Sequence, residues 1–156
     1  MTDIIRTHYI NQLDESIIDQ NVKIGGWVED LRDIGSLLFL TVRDVSGTAQ
    51  IIVNEPKMLE STKKITRQSA VMIIGNVQKS KSKAFNVEIK AEHIEVITNA
   101  VHPLPVDPTG RVNASIDVRL GVRALDLRNP RVLALFRIRH EALQSIRKTL
   151  VIHNFI

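Results

Sequence analysis

In the stretch RDIGSLLFLTVRDVSGTAQIIV, residues 32–53, one aromatic side chain stands out of phase with its neighbours. Leu38, Leu40 and Val42 share one parity, and Phe39, Thr41 and Arg43 share the other. Successive side chains of a strand point to opposite faces. If the first set builds a core, Phe39 stands among polar residues on the outside. An exposed ring there could stack on a nucleic-acid base, an interaction worth about 1–3 kcal/mol and open to any base. The competing reading covers Phe39 with the N-terminal segment, so that it enlarges the core. Gln50, on the next strand, carries a donor and an acceptor and could read the edge of an unpaired base, although a surface amide is ordinarily just solvated. Arg32 and Arg43 could hold phosphates or stack on bases. Each precedes an Asp, so a surface ion pair with that Asp is the rival role, most of all for Arg43. Lys79, Lys81 and Lys83 alternate with serines in a loop that is either solvated or in contact with phosphate.

Catalytic and metal chemistry find little support. His8, His93, His102, His140 and His153 are scattered without metal-ligand spacing, and there is no cysteine for thiolate ligands or disulfides. The lone glycine of RDVSGT is far from a phosphate-cradling pattern. No cofactor is expected to be held by this chain. No apolar run approaches the 18 or so residues of a membrane span, and MTDIIRTHYI lacks the pattern of a signal peptide. A cytoplasmic protein is expected.

The elements that would position Phe39 and Gln50 follow from alternation and turn residues. Residues 22–33 read as a strand whose Gly25 and Gly26 suggest a bend or close backbone approach. Gly35-Ser36 leads into a second strand over 37–45, and Ser46-Gly47 into a third at TAQIIVN. One short helix follows in EPKMLESTKKITRQS, with Pro56 in its first turn. A fourth strand is read in AVMIIGNVQKS and a fifth within AFNVEIKAEHIEVIT, where Val87, Ile89 and Ala91 are in phase. The order β-β-β-α-β-β is that of the OB-fold, a five-stranded Greek-key barrel whose strands two and three bind oligonucleotides or oligosaccharides. The preceding HYINQLDESIID is expected to pack across the barrel as a short strand or helix.

Beyond residue 98 the composition changes. Pro103, Pro105, Pro108 and Gly110 mark residues 99–129 as an ordered linker or hinge. Asn129 and Pro130 then open an amphipathic helix over 131–152, with Val132, Leu135, Phe136, Leu143, Ile146 and Leu150 on one stripe. So wide an apolar face implies docking on the barrel or linker, on another copy, or on a longer chain. The expected division is a barrel at 1–98, a hinge at 99–129 and a helical segment at 130–156. Net charge follows the same division. Residues 1–98 hold 12 basic against 13 acidic side chains, and 99–156 hold 9 against 4, so the +4 of the whole chain lies in the C-terminal third. The sequence pI is therefore weak evidence for nucleic-acid binding by the barrel.

From GWVEDLRDIGSLLFLTVRDVSGTAQIIV onward the sequence resembles the N-terminal anticodon-binding domain of aspartyl-tRNA synthetase, a class IIb family. PLPVDPTG and DVRLGVRALDLRNP, with the helix after them, resemble the hinge and first catalytic-domain helix of the archaeal-type enzymes. The resemblance implies that Phe39 stacks on the central anticodon uridine and that Gln50 hydrogen-bonds the same base. It places Arg32 on the anticodon loop, and Glu88 with Lys81 and Lys83 near the flanking bases. Leu135, Phe136, Leu143 and Ile146 would lie in the dimer interface of the full-length enzyme. Partners implied are tRNA(Asp), with tRNA(Asn) as an alternative, and the full-length family uses ATP and Mg. The later motifs that hold ATP do not occur in these residues, so the segment by itself is expected to bind tRNA without charging it. Rival readings are an asparaginyl-tRNA synthetase domain, a stand-alone OB-fold protein for single strands, and a dimerisation module built on the 131–152 helix.

Overall fold

The computed structural model describes residues 5–155. Five strands, β1 (Asn21–Asp33), β2 (Leu38–Arg43), β3 (Thr48–Val53), β4 (Ala70–Lys79) and β5 (Val87–Thr98), close in the order β1-β2-β3-β5-β4. The β3–β5 pair is parallel, and the other four pairs are antiparallel. Helix α1 (Pro56–Thr62) connects β3 to β4. This is the expected five-stranded barrel with one helix between its third and fourth strands.

Burial alternates along β2 and β3, with Leu38, Leu40, Val42, Ala49, Ile51 and Val53 inside. Ile24, Val28, Val71, Ile73, Val77 and Ile89 fill the interior from the remaining strands. The two ends of β3 are capped differently. Leu59 of α1 and Ile65 enter the core after its end, while Ile10 packs beside Gly47 at its start. The N-terminal segment reaches that point as two 3-10 turns, Ile10–Gln12 and Glu15–Ile17.

Strand β1 closes the barrel by serving two neighbours. Its first half pairs with β4 and its second with β2, and Trp27 pairs with both. Backbones then approach closely where a side chain would intrude. A Cβ on Gly26 would lie 2.5 Å from the Arg43 carbonyl oxygen, and one on Gly75 would collide with the Lys90 carbonyl. The β1–β2 register also slips between Val28 and Asp30, leaving Glu29 as the extra residue of a bulge.

Asp44 locks the β2–β3 turn to the N-terminal segment. It is buried, and one carboxylate oxygen accepts from the Ile10 N–H at 3.0 Å. The other accepts from the Ser46 N–H and hydroxyl, both at 2.6 Å, and from the Gly47 N–H at 3.0 Å. Burial opposes its charge, but the Ser46 hydroxyl and the three N–H groups outweigh it and hold the carboxyl below the ordinary Asp value.

The chain divides into two compact units at the junction of His102 and Pro103. The second unit holds α2 (Ile116–Gly121), α3 (Arg123–Asp126) and α4 (Pro130–Ile152). The stretch read as hinge thus contains two short helices. Ser115 caps α2, and buried Asp126 accepts from Arg119 at 2.9 Å and from Arg123 at 2.6 Å. The prolines that mark a hinge, Pro103, Pro105 and Pro108, all lie before these helices, which are too short to show a helical period. Asn129 caps α4 by accepting from the Arg131 N–H at 2.9 Å, and Pro130 follows in its first turn. On the expected stripe Val132 is buried, whereas Leu135, Phe136, Leu143, Ile146 and Leu150 are exposed. The Arg123 guanidinium lies over the Phe136 ring at 4.8 Å.

Asp44→Ala leaves buried N–H groups without an acceptor, and urea unfolding should show a loss of about 1–3 kcal/mol at neutral pH. Because the folded carboxyl titrates below the unfolded one, its contribution is complete above about pH 4 and disappears as pH falls through the folded value. The gap between variant and parent should therefore close in acid. Gly75→Ala forces two strands apart and should cost about 1–3 kcal/mol in the same assay, against almost nothing for Gly121→Ala, whose Cβ meets no atom within 4 Å.

Candidate nucleic-acid interface

The outer faces of β1, β2, β3 and β5, with the end of β4 and the β4–β5 loop, line a cleft of about 600 Å³. Strand register builds it as two rows. One runs Asp30, Thr41, Gln50, Glu88, Gln78, and the next runs Arg32, Phe39, Ile52, Lys90. Phe39 therefore sits between Arg32 and Ile52, diagonal to Gln50. It is half-buried in the cleft wall, and the N-terminal segment docks on the Asp44 turn instead.

Arg32 faces the cleft because of the bulge at Glu29. In uninterrupted alternation it would share the parity of Ile24 and Val28, which are inside. The extra residue reverses the phase, so that Leu31 pairs with core Leu40 and Arg32 pairs with Phe39. Arg43 has another role. Its guanidinium donates to both oxygens of Glu29 at 3.0 Å, a two-pronged pair across the bulge. The expected Arg43–Asp44 pairing is thus replaced, because Asp44 is already committed to the turn. Asp33, the expected partner of Arg32, accepts from Gly35 and pairs with Lys63 at 3.2 Å. The Gly35 N–H, and then Lys63, hold the Asp33 carboxyl below its ordinary value.

Glu88 lies at the floor of the cleft, 1% exposed. Its carboxylate accepts from Gln50 Nε2 at 2.8 Å, Gln78 Nε2 at 2.9 Å and the Ser80 hydroxyl at 2.9 Å. Ser80 in turn accepts from the Ser82 N–H at 3.0 Å, which ties down the β4–β5 loop. That loop brings Lys81 to the cleft, while Lys83 is exposed and outside its lining. Lys90 is a cleft residue that the sequence reading missed. Its parity with Glu88 on β5 was the available signal.

Among the described residues, Arg32, Lys81 and Lys90 have no carboxylate partner, whereas Asp30 pairs with Arg67 and Glu88 is held by its three donors. The cleft thus presents one aromatic ring, two amides oriented by Glu88 and three available cations. Such a set can stack a base, read its edge and hold phosphate. No cluster of three His, Asp or Glu side chains suited to a metal occurs among the described residues.

Residues 22–97 match the tRNA anti-codon family, described as an OB-fold nucleic acid binding domain. The aspartate–tRNA(Asp/Asn) ligase of Methanococcoides burtonii is 43% identical over 148 residues, which span 91% of this chain and 33% of that protein. The aspartate–tRNA(Asp) ligase of Pyrococcus horikoshii is 34% identical over 157 residues, spanning 98% of this chain and 36% of that protein. Among solved structures, the aspartyl-tRNA synthetase of Entamoeba histolytica superposes with a TM-score of 0.84 at 25% identity, covering 96% of this chain and 38% of that one. The chain thus spans about a third of the length of these relatives.

Proposed function

Through residues 22–97 this chain belongs to the tRNA anti-codon OB-fold family, and its homologues are aspartate–tRNA ligases; from that premise we propose that the cleft binds the anticodon loop of tRNA(Asp). The observation that carries the proposal is the placement of Phe39 and Gln50 as diagonal neighbours on one face, with Arg32, Lys81 and Lys90 around them. A splayed central uridine stacks on Phe39 and meets the Gln50 amide, and the cations hold the phosphates on either side. Lys83 serves the outer part of the loop backbone. Glu88 acts through the amide it holds.

The name of the M. burtonii relative extends the proposal to tRNA(Asn) as a second ligand. For the whole protein, the proposed activity is ATP- and Mg-dependent aspartylation of tRNA in the cytoplasm. The exposed apolar residues Leu135, Phe136, Leu143 and Ile146 of α4 would then form its homodimer contact.

Titration with the anticodon stem-loop of tRNA(Asp), the same loop with its central uridine replaced, and oligo(dT) tests the proposal. The first should bind best. Phe39→Ala should weaken it about 5- to 150-fold, the equivalent of about 1–3 kcal/mol, with Gln50→Ala also weaker. Equal affinity for all three ligands would instead identify a non-specific single-strand binder. Arg32→Ala should weaken every loop alike and lower the slope of log affinity against log salt by about 1.

A further inference from the structure

We propose that Glu88 is a positioning residue that fixes which way round the Gln50 amide sits, and thereby sets the choice between uracil and cytosine at the stacked base. This rests on the reading of the cleft given above. A carboxylate can only accept, and an amide can only donate through its nitrogen. Glu88 already receives Gln78 Nε2 on Oε1 and the Ser80 hydroxyl on Oε2, so the Gln50 atom that meets Oε2 at 2.8 Å is its nitrogen. Turning the amide over would oppose its oxygen to a carboxylate oxygen of Glu88, a residue that is 1% exposed, with little water to relieve the repulsion. The second N–H and the Oε1 of Gln50 make no other bond to the described residues and are available to a ligand.

That fixed order of donor and acceptor is what distinguishes the two pyrimidines. At ring positions 4 and 3 uracil presents an acceptor and then a donor, O4 and N3–H. Cytosine presents the reverse, N4–H₂ and N3. An amide held in one orientation complements one of these edges and meets the other donor to donor and acceptor to acceptor. An amide free to turn over would suit both. Stacking on Phe39 makes no such distinction, since every base has a π-face. Discrimination therefore resides in the carboxylate behind the amide and not in the ring beneath the base.

Glu88→Gln tests this with little change of volume. It replaces one oxygen of the floor by an N–H₂ group, so that either Gln50 or Gln78 must turn over. Anticodon stem-loops with uridine or cytidine at the central position are titrated against parent and variant. The parent should prefer uridine by about tenfold or more, and Glu88→Gln should reduce that ratio to about threefold or less. Phe39→Ala should weaken both loops and keep the ratio. A ratio unchanged in Glu88→Gln and also in Glu88→Ala, which leaves Gln50 no carboxylate whichever way Gln78 lies, would overturn the proposal, because a purely structural role affects both loops alike. A parent with no preference would instead overturn the uridine reading itself, and the proposal with it. A second measurement does not depend on the variant folding. In the free parent protein, 15N relaxation of the Gln50 side-chain amide should show the order of the backbone around it, and a freely mobile amide would refute the anchoring.

Discussion

Closure of the barrel depends on β1 bonding to two different strands, and the rest of the N-terminal unit follows from it. A strand that leaves one partner for another must coil sharply, and that coiling brings backbones within the space of a methyl group. Gly26 stands where the Arg43 carbonyl comes closest, and Gly75 has the same role against the Lys90 carbonyl where the β4–β5 register shifts. The bulge at Glu29 completes the turn and reverses the alternation behind it. A structural necessity thus has a chemical consequence, because the same extra residue puts Arg32 on the outer face beside Phe39. Glu29 itself is engaged by Arg43, which stabilises the bulge and takes that cation out of the cleft.

The cleft divides its charges by whether they are already satisfied. Asp30 pairs with Arg67, and Glu88 is surrounded by donors, so neither carboxylate repels an approaching phosphate without compensation. Arg32, Lys81 and Lys90 are available. The acidic and basic side chains of residues 1–98 nearly cancel, yet the face around Phe39 offers unpaired cations. Local pairing, and not net charge, decides what this surface attracts. The hydrogen bonds at its floor extend from Gln50 through Glu88 and Ser80 to the backbone of Ser82, which couples the amide to the loop that carries Lys81.

Much of this was legible in the residues. Alternation in LFLTVR set Phe39 opposite the parity of Leu38, Leu40 and Val42, while leaving open whether the N-terminal segment covered it. Asn129 and Pro130 marked the start of α4 through their capping chemistry. Less legible were α2 and α3, whose Asp126 contacts run to Arg119 and Arg123. The partner of Arg43 was misread as its sequence neighbour. Adjacent strand residues point to opposite faces, so Asp44 was the less available carboxylate from the outset. Lys90 was overlooked although it shares the parity of Glu88.

By itself the sequence determined the element order and the parity that sets Leu38, Leu40 and Val42 against Phe39, Thr41 and Arg43. These depend on local periodicity and turn residues. The tertiary structure decided which outward residues meet. It brought Glu88 beneath Gln50 from 38 positions away and pointed the amide nitrogen inward. It turned Arg32 outward through a bulge and assigned Arg43 to Glu29. The physical reason is that cross-strand pairing and bulges depend on how β1, β3 and β5 register against one another, and register is a property of the closed barrel and not of any one strand.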